Sequence, residues 1–336
     1  MRCPVRLRTT VVGLLFGLFW SPQGAIADAV DIREWEVPWS DSRPRDPFVE
    51  PSGRVWFVGQ QGHYVASLDP DSGEFARFDL EPGTGPHNLI VAGGGSDAKI
   101  WYAGNRAMHI GRLDAGTGEI EKFIMPDERA RDPHTLVFDS LGDVWFTVQG
   151  GNFVGHLGTD TREVSLLEVP TRRARPYGIV LNSKGEPWVV EFGSNKLIHI
   201  DPKRMTLTEI ELPHSDSRPR RLAITSDDKI WYGDYANGRL GRYEPETGTF
   251  AEWDLPSGRA SKPYGMAVDK DDRVWIVETG VQPNRFVGFD TNAEEFLGGT
   301  DIPSGGGTIR HMYYYEPGGE VWFGTDTNYV GRAKVH

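Results

Sequence analysis

The chain has 336 residues, of which 25% are charged and 38% apolar, a composition rich enough to build a core and contrary to disorder throughout. Lys and Arg number 36 against 48 Asp and Glu, a formal net charge of -12. That balance repels phosphate backbones and excludes nucleic acid as an expected partner; a cationic, neutral or metal-bound ligand fits better.

Met1 to Arg8 carries Arg2, Arg6 and Arg8 and no acid, residues 9–20 form an apolar run, and Ala25-Ile26-Ala27 has the small-x-small form of a cleavage site. The expectation is a signal peptide over residues 1–27, followed by one domain over 28–336 and export to the periplasm or beyond. A helix needs roughly 20 apolar residues to cross a bilayer core of about 30 Å. The run is too short for that and no later one is longer, so no membrane span is expected. The only cysteine, Cys3, precedes the apolar run and leaves with the leader, so packing of a large core has to hold the mature fold without disulfides.

From there on the chain repeats itself. Trp56, Trp101, Trp145, Trp188, Trp231, Trp275 and Trp322 follow one another at intervals of 45, 44, 43, 43, 44 and 47 residues. Each opens a short β-rich run such as Val55-Trp56-Phe57-Val58. A second run follows, as in Arg239-Leu240-Gly241-Arg242-Tyr243, then a turn such as Glu246-Thr247-Gly248-Thr249 and an alternating strand ending in Pro, as in Phe250 to Pro256. A further run precedes each tryptophan, as in Gly178-Ile179-Val180-Leu181. Four short strands per repeat without helical periodicity describe an all-β, seven-bladed β-propeller with four-stranded blades, rather than an unrepeated β-sandwich. After Trp322 only the strand at 329–334 remains, and the missing outer strand is found at the other end. Ile32-Arg33-Glu34-Trp35-Glu36-Val37-Pro38 copies Phe250-Ala251-Glu252-Trp253-Asp254-Leu255-Pro256. An N-terminal strand completing the last blade closes the ring and removes an exposed sheet edge.

In a four-stranded meander the start of the innermost strand and the end of the second lie on one face of the disc. Two sets of residues are therefore expected around one end of the central channel. The first follows a recurring Pro: Phe48, His87, His134, Tyr177, Arg220, Tyr264 and, where Arg310 replaces Pro, His311. The second follows each tryptophan by three or four: Gln60, Asn105, Gln149, Glu191, Asp234, Glu278 and Asp326. Such a mouth is the default ligand site of the fold, here for a small molecule or peptide bound by a monomer. Adjacent carboxylates beside imidazoles repel one another unless a cation or shared proton relieves them, and that shell suits a divalent metal. The chain has no Gly-x-Ser-x-Gly elbow, no His-Glu-x-x-His, no phosphate-binding glycine loop and no cysteine nucleophile outside the leader.

Pro176-Tyr177-Gly178-Ile179 with Trp188-Val189-Val190-Glu191, and Pro263-Tyr264-Gly265-Met266 with Trp275-Ile276-Val277-Glu278, together with the Leu240-Gly241-Arg242 run, resemble the streptogramin B lyase (virginiamycin B lyase) family over all the repeats. The resemblance implies a seven-bladed propeller that opens a cyclic depsipeptide at its ester by elimination, with a divalent metal such as Mg2+. It implies a site at positions that hold Tyr264, Ile309-Arg310-His311 and Thr325 here, of which His311 alone carries the family's residue type. A comparable set recurs on the other side of the quasi-symmetric ring, in Pro86-His87 and Asp132-Pro133-His134, with Glu191 on the next blade. The resulting expectations are these. His87 and His134 act as metal ligands or acid-base groups, with Asp132 orienting one imidazole and His311 as a further candidate. Glu191 and Glu278 complete the metal shell, and Tyr177, Arg220, Tyr264 and Asp234 contact substrate. As loop residues at a mouth, His87, His134 and Glu191 are expected to matter little for folding. The function expected is an exported, metal-dependent carbon-oxygen lyase acting on an ester or depsipeptide. The alternatives are a binding propeller without catalysis and an esterase or lactonase resembling six-bladed calcium lactonases, against which the repeat count weighs.

Overall fold

In the computed structural model, which describes residues 30–336, the repeats form seven four-stranded antiparallel sheets, each a meander in chain order except the last. The expected leader and its cleavage site lie outside the described residues. The tryptophan-bearing strands, such as Val55–Gly59, Val144–Val148 and Val274–Glu278, are buried along their whole length, because they are flanked by strands within the sheet and by blades on both faces. All seven repeat tryptophans are buried. The core clusters run between blades: Trp101 and Phe123 of one pack with Leu136, Phe146 and Phe153 of the next.

The Gly that recurs in the strand after the tryptophan-bearing one, at Gly111, Gly155, Gly241 and Gly331, has a steric origin. The ring of Tyr232 lies across Gly241, where a Cβ would sit 2.1 Å from the Tyr232 ring, and Phe146 covers Gly155 in the same way. The ring closes as the chain ends require. Strand Asp31–Glu36 pairs antiparallel with Tyr329–Lys334, and Trp35 stacks on Trp322 with centroids 5.3 Å apart. Among the described residues no helix is long and apolar enough to cross a membrane.

The innermost strands include Pro44–Val49, Pro133–Phe138, Pro176–Leu181, Pro219–Ile224 and Pro263–Val268. Their pairing fixes which residues face the channel. Pro133, Pro176, Pro219 and Pro263 pair with Val148, Glu191, Asp234 and Glu278, and each is followed by a bulge. Pro44 does the same with Gly59, so the ring residue of blade one is Arg45, and the expectation of Phe48 is corrected. Pro47 imitates the repeat proline because the bulge between Arg45 and Phe48 leaves its missing N–H without consequence. Phe48 pairs with Trp56 farther down the strand and lies against Tyr313. In blade seven Tyr313 pairs with Trp322, and the turn that contains Glu316–Gly318 is one residue longer than in blades one and three to six. Counting back from that pair puts Arg310 in the ring and His311 one layer deeper.

Candidate functional site

Two layers of side chains close one end of the channel. The outer layer holds Arg45, His87, His134, Tyr177, Arg220, Tyr264 and Arg310; the inner one holds Asp46, Asn88, Thr135, Arg221 and His311, with Gly178 and Gly265 between them. The outer layer is a packed plug rather than an open loop mouth. His87 is 4% and His134 1% exposed. Their ring centroids are 3.6 Å apart, His134 lies 3.9 Å from Tyr177, and the hydroxyls of Tyr177 and Tyr264 share a hydrogen bond. Arg220 closes the set, its guanidinium 3.7 Å from the Tyr264 ring, 4.4 Å from Phe192 and 4.5 Å from Tyr235. The expectation that these histidines are dispensable for folding is thereby corrected, since truncating either leaves a cavity inside a packed layer.

In the inner layer Asp46 is the pivot. Its carboxylate accepts from Asn88 Nδ2 at 3.0 Å and faces Arg45 at 3.6 Å, Arg221 at 3.4 Å and His87 Nδ1 at 4.0 Å. Burial pushes this carboxyl up, but Arg45, His311 and Arg221 outweigh it and hold it below its ordinary range. Arg221 also donates to Thr135 Oγ1 at 2.9 Å and to the carbonyl oxygen of Arg310 at 3.0 Å. Burial and the neighbouring guanidinium groups depress all three imidazoles, His311 to about 4, so they stand neutral at pH 7. Tyr177 moves the other way from a buried phenol: burial raises it, and Arg220, Arg221 and Arg45 together bring it below its usual value.

Tyr177, Tyr264 and Arg220 are thus brought together, whereas the expected carboxylates are not part of the group. In five of the blades the residue three after the tryptophan pairs with the strand-opening Pro, and Glu191, Asp234 and Glu278, which do so, turn toward the adjoining loops. Both oxygens of Glu278 are taken by Ser257, through its N–H at 2.8 Å and its hydroxyl at 2.7 Å. Asp234 accepts the N–H groups of Arg218 and Ala236 at 2.9 and 3.1 Å and the Asn237 amide at 2.8 Å. Glu191 accepts from Ser194, and Asp132 accepts from Asn105 rather than from an imidazole. The acid that faces His87 is Asp46, which sequence reasoning missed. It also missed Phe192 and Tyr235, one residue beyond Glu191 and Asp234, which form the aromatic box of Arg220.

The donor set does not fit a divalent metal at this end of the channel. Among the described residues, the one group of three carboxylate or imidazole donors within 4.8 Å of one another is Asp139, Asp143 and His156, in the outer part of blade three. His87, His134, Glu191 and Glu278 make no such group, and the guanidinium groups beside the two histidines oppose a cation. His156 lies against Trp145 at 4.6 Å, the rings tilted by 52°, in the place where His199 stacks on Trp188 at 4.7 Å.

Glu191 has a measurable consequence. Burial, with Glu209 nearby, raises its carboxyl to about 7. Folding therefore favours the protonated acid: the contribution is full below its unfolded value of 4.5 and is lost as pH rises through about 7. Glu191→Gln keeps an acceptor for Ser194 without the charge, so its melting temperature relative to wild type should rise between pH 5 and pH 8. Parallel profiles for the two proteins would contradict the assignment.

The sequence profile of the virginiamycin B lyase family matches residues 22–282. That match begins ahead of Asp31–Glu36 and ends inside blade six, before its strands Arg285–Asp290 and Glu295–Asp301. No curated protein matches the chain significantly in sequence. Among solved structures, a streptogramin B lyase superposes with a TM-score of 0.81 at 24% identity, covering 92% of this chain and 98% of that one. Virginiamycin B lyase from Staphylococcus aureus gives 0.81 at 22% identity over 91% of this chain and 100% of its own. Hydrazine synthase from Kuenenia stuttgartiensis gives 0.73 at 14% identity, over 88% and 96%, so the likeness of fold extends past lyases. With a seven-bladed ring, the strand order of the repeats and more than half its length matched by the family profile, the chain belongs to the virginiamycin B lyase family.

Proposed function

We propose that the chain is exported and uses the plugged end of its channel to hold a small molecule bearing a carboxylate or an ester carbonyl, without a divalent metal. The leader pattern of residues 1–27 supports export. Arg220 carries the rest. Its half-buried guanidinium sits in an aromatic box, makes no ion pair among the described residues, and has a buried Nε without a hydrogen-bond partner. A guanidinium in that state, with its Nε buried and unpaired, is completed by an anionic or strongly polar oxygen from outside. An aromatic acid such as phenylacetate is a suitable probe, since its ring can lie on Phe192 and Tyr235. Arg220→Gln should weaken phenylacetate binding at least about tenfold in an equilibrium titration, the value of a hydrogen bond to a charged group. Unchanged affinity would remove the proposal's support.

One observation favours chemistry over binding alone. Tyr177, with its hydroxyl bonded to Tyr264 and its phenol eased toward ionisation by three arginines, has the form of a general base. In a metal-independent elimination Tyr177 acts as its phenolate, its own proton having gone to solvent, and Oη takes the proton from the carbon alpha to the carbonyl. The electron pair left behind forms the carbon-carbon double bond as the beta carbon-oxygen bond breaks and the leaving oxygen departs as an anion. Arg220 holds the carbonyl oxygen while charge develops on it. On an ester-linked depsipeptide in the presence of a chelator, Tyr177→Phe should lower the rate of unsaturated product formation by about 100-fold or more. Absence of that product with the wild-type protein leaves the binding reading alone.

A further inference from the structure

On the other side of the plug the channel is open. It is a cavity of about 420 Å³ whose walls are the innermost strands, with Leu136, Val180, Leu222, Met266 and Met312 among its lining, and whose closed end is Arg221, Thr135 and His311. Leu181, Ile224, Val268 and Tyr314, farther along the same strands, are only half-buried, which marks the entrance on the face opposite the plug.

The closed end is short of negative charge. Arg45 and Arg221 are 5% and 3% exposed, and the carboxylate that faces both is Asp46. Nε and Nη2 of Arg45 and Nδ1 of His311 are buried and make no hydrogen bond among the described residues. Arg221 has three N–H groups placed, on Thr135, Asp46 and the Arg310 carbonyl, of the five a guanidinium offers. Two buried guanidinium groups facing one carboxylate leave a surplus of positive charge in a low-dielectric site, a costly state that a second anion relieves. The walls decide what kind of anion. A small hydrated ion gains nothing from aliphatic side chains, and such walls hold water poorly. An alkyl chain ending in a carboxylate satisfies both parts at once.

We propose that the channel below the plug is a binding site for an amphiphilic monocarboxylate, with its alkyl body along the wall and its carboxylate at His311 and Arg221. The site lies across the outer layer from Arg220 and stands whether or not the other face binds a ligand. Titration calorimetry of the full chain with hexanoate, octanoate and decanoate tests it. Binding at one site per chain is expected, tightening about threefold to fourfold for each added methylene. Octanol should bind at least about tenfold more weakly than octanoate, because it lacks the charge that Arg221 meets. Val180→Trp, on a half-buried wall position, should abolish octanoate binding while melting like wild type; if it fails to fold, Ile224→Trp at the entrance serves. The proposal is overturned by the absence of saturable binding, by affinity that ignores chain length, by octanol binding as tightly as octanoate, or by a folded blocking variant that binds like wild type.

Discussion

A chain that begins after Ser40 is expected to lose the cooperative melting of the whole propeller rather than a frayed end. Strand Asp31–Glu36 supplies the outer edge of blade seven through pairs from Asp31 with Lys334 to Glu36 with Tyr329. Its Trp35 is buried on Trp322, with Arg33 over the indole at 4.5 Å. Glu34 holds the N–H and hydroxyl of Ser304, both at 2.7 Å, and Asn328 donates to the carbonyls of Val37 and Trp39. Loss of one buried tryptophan costs about 3–5 kcal/mol, and domains are stable by only about 5–15 kcal/mol in total. Adding the lost ladder and the exposed edge of Tyr329–Lys334 should leave the shortened chain unfolded or aggregating at ambient temperature. A thermal melt of the shortened chain at the wild-type temperature would show that blade seven closes without this strand.

Asp46→Asn is expected to destabilise the fold by about 3–5 kcal/mol, because it leaves Arg45 and Arg221 buried without their counter-charge. The substitution is isosteric and can keep one hydrogen bond with Asn88, so charge is the main thing removed. Asp46 also has a left-handed backbone, φ 45°, an arrangement that the surrounding ion pairs have to hold in place. Removing one of the two cations as well should recover part of the loss. Asp46→Asn combined with Arg221→Met is therefore expected to be more stable than Asp46→Asn alone, a coupling that urea denaturation of the four proteins in the cycle measures directly. A loss of less than about 1 kcal/mol for the single change would mean that the carboxylate does not neutralise the arginines.

The propeller was legible because its signal is periodic: an indole in every repeat, in four of them a Gly under the aromatic residue after it, and a strand at one end whose twin is missing at the other. The site was legible only in part. Within the ring, His134, Tyr177, Arg220 and Tyr264 follow a strand-opening proline, His87 follows Pro86 just ahead of its strand, and all five were found. Arg45 and Arg310 were hidden by one false proline, Pro47, and by one lengthened turn before Trp322. Each moves the register by residues that no local pattern reveals. Glu191, Asp234 and Glu278 drew notice as a row of acids, but their distance from the tryptophan places them opposite the proline. Asp234 and Glu278 bind loop N–H groups there, while Glu191 pairs with Ser194. The net charge of -12 pointed toward a cationic or metal-bound ligand. An average over the chain carries no information about a channel end where arginines are gathered.

The affinity of the wild-type protein for phenylacetate, measured once with a chelator and once with excess Mg2+, bears most directly on whether this channel end is an anion site that works without a metal. Equal affinity in the two conditions is predicted, because the charge that meets the carboxylate belongs to Arg220. Binding that appears only when Mg2+ is supplied would contradict the account and return the site to a metal centre.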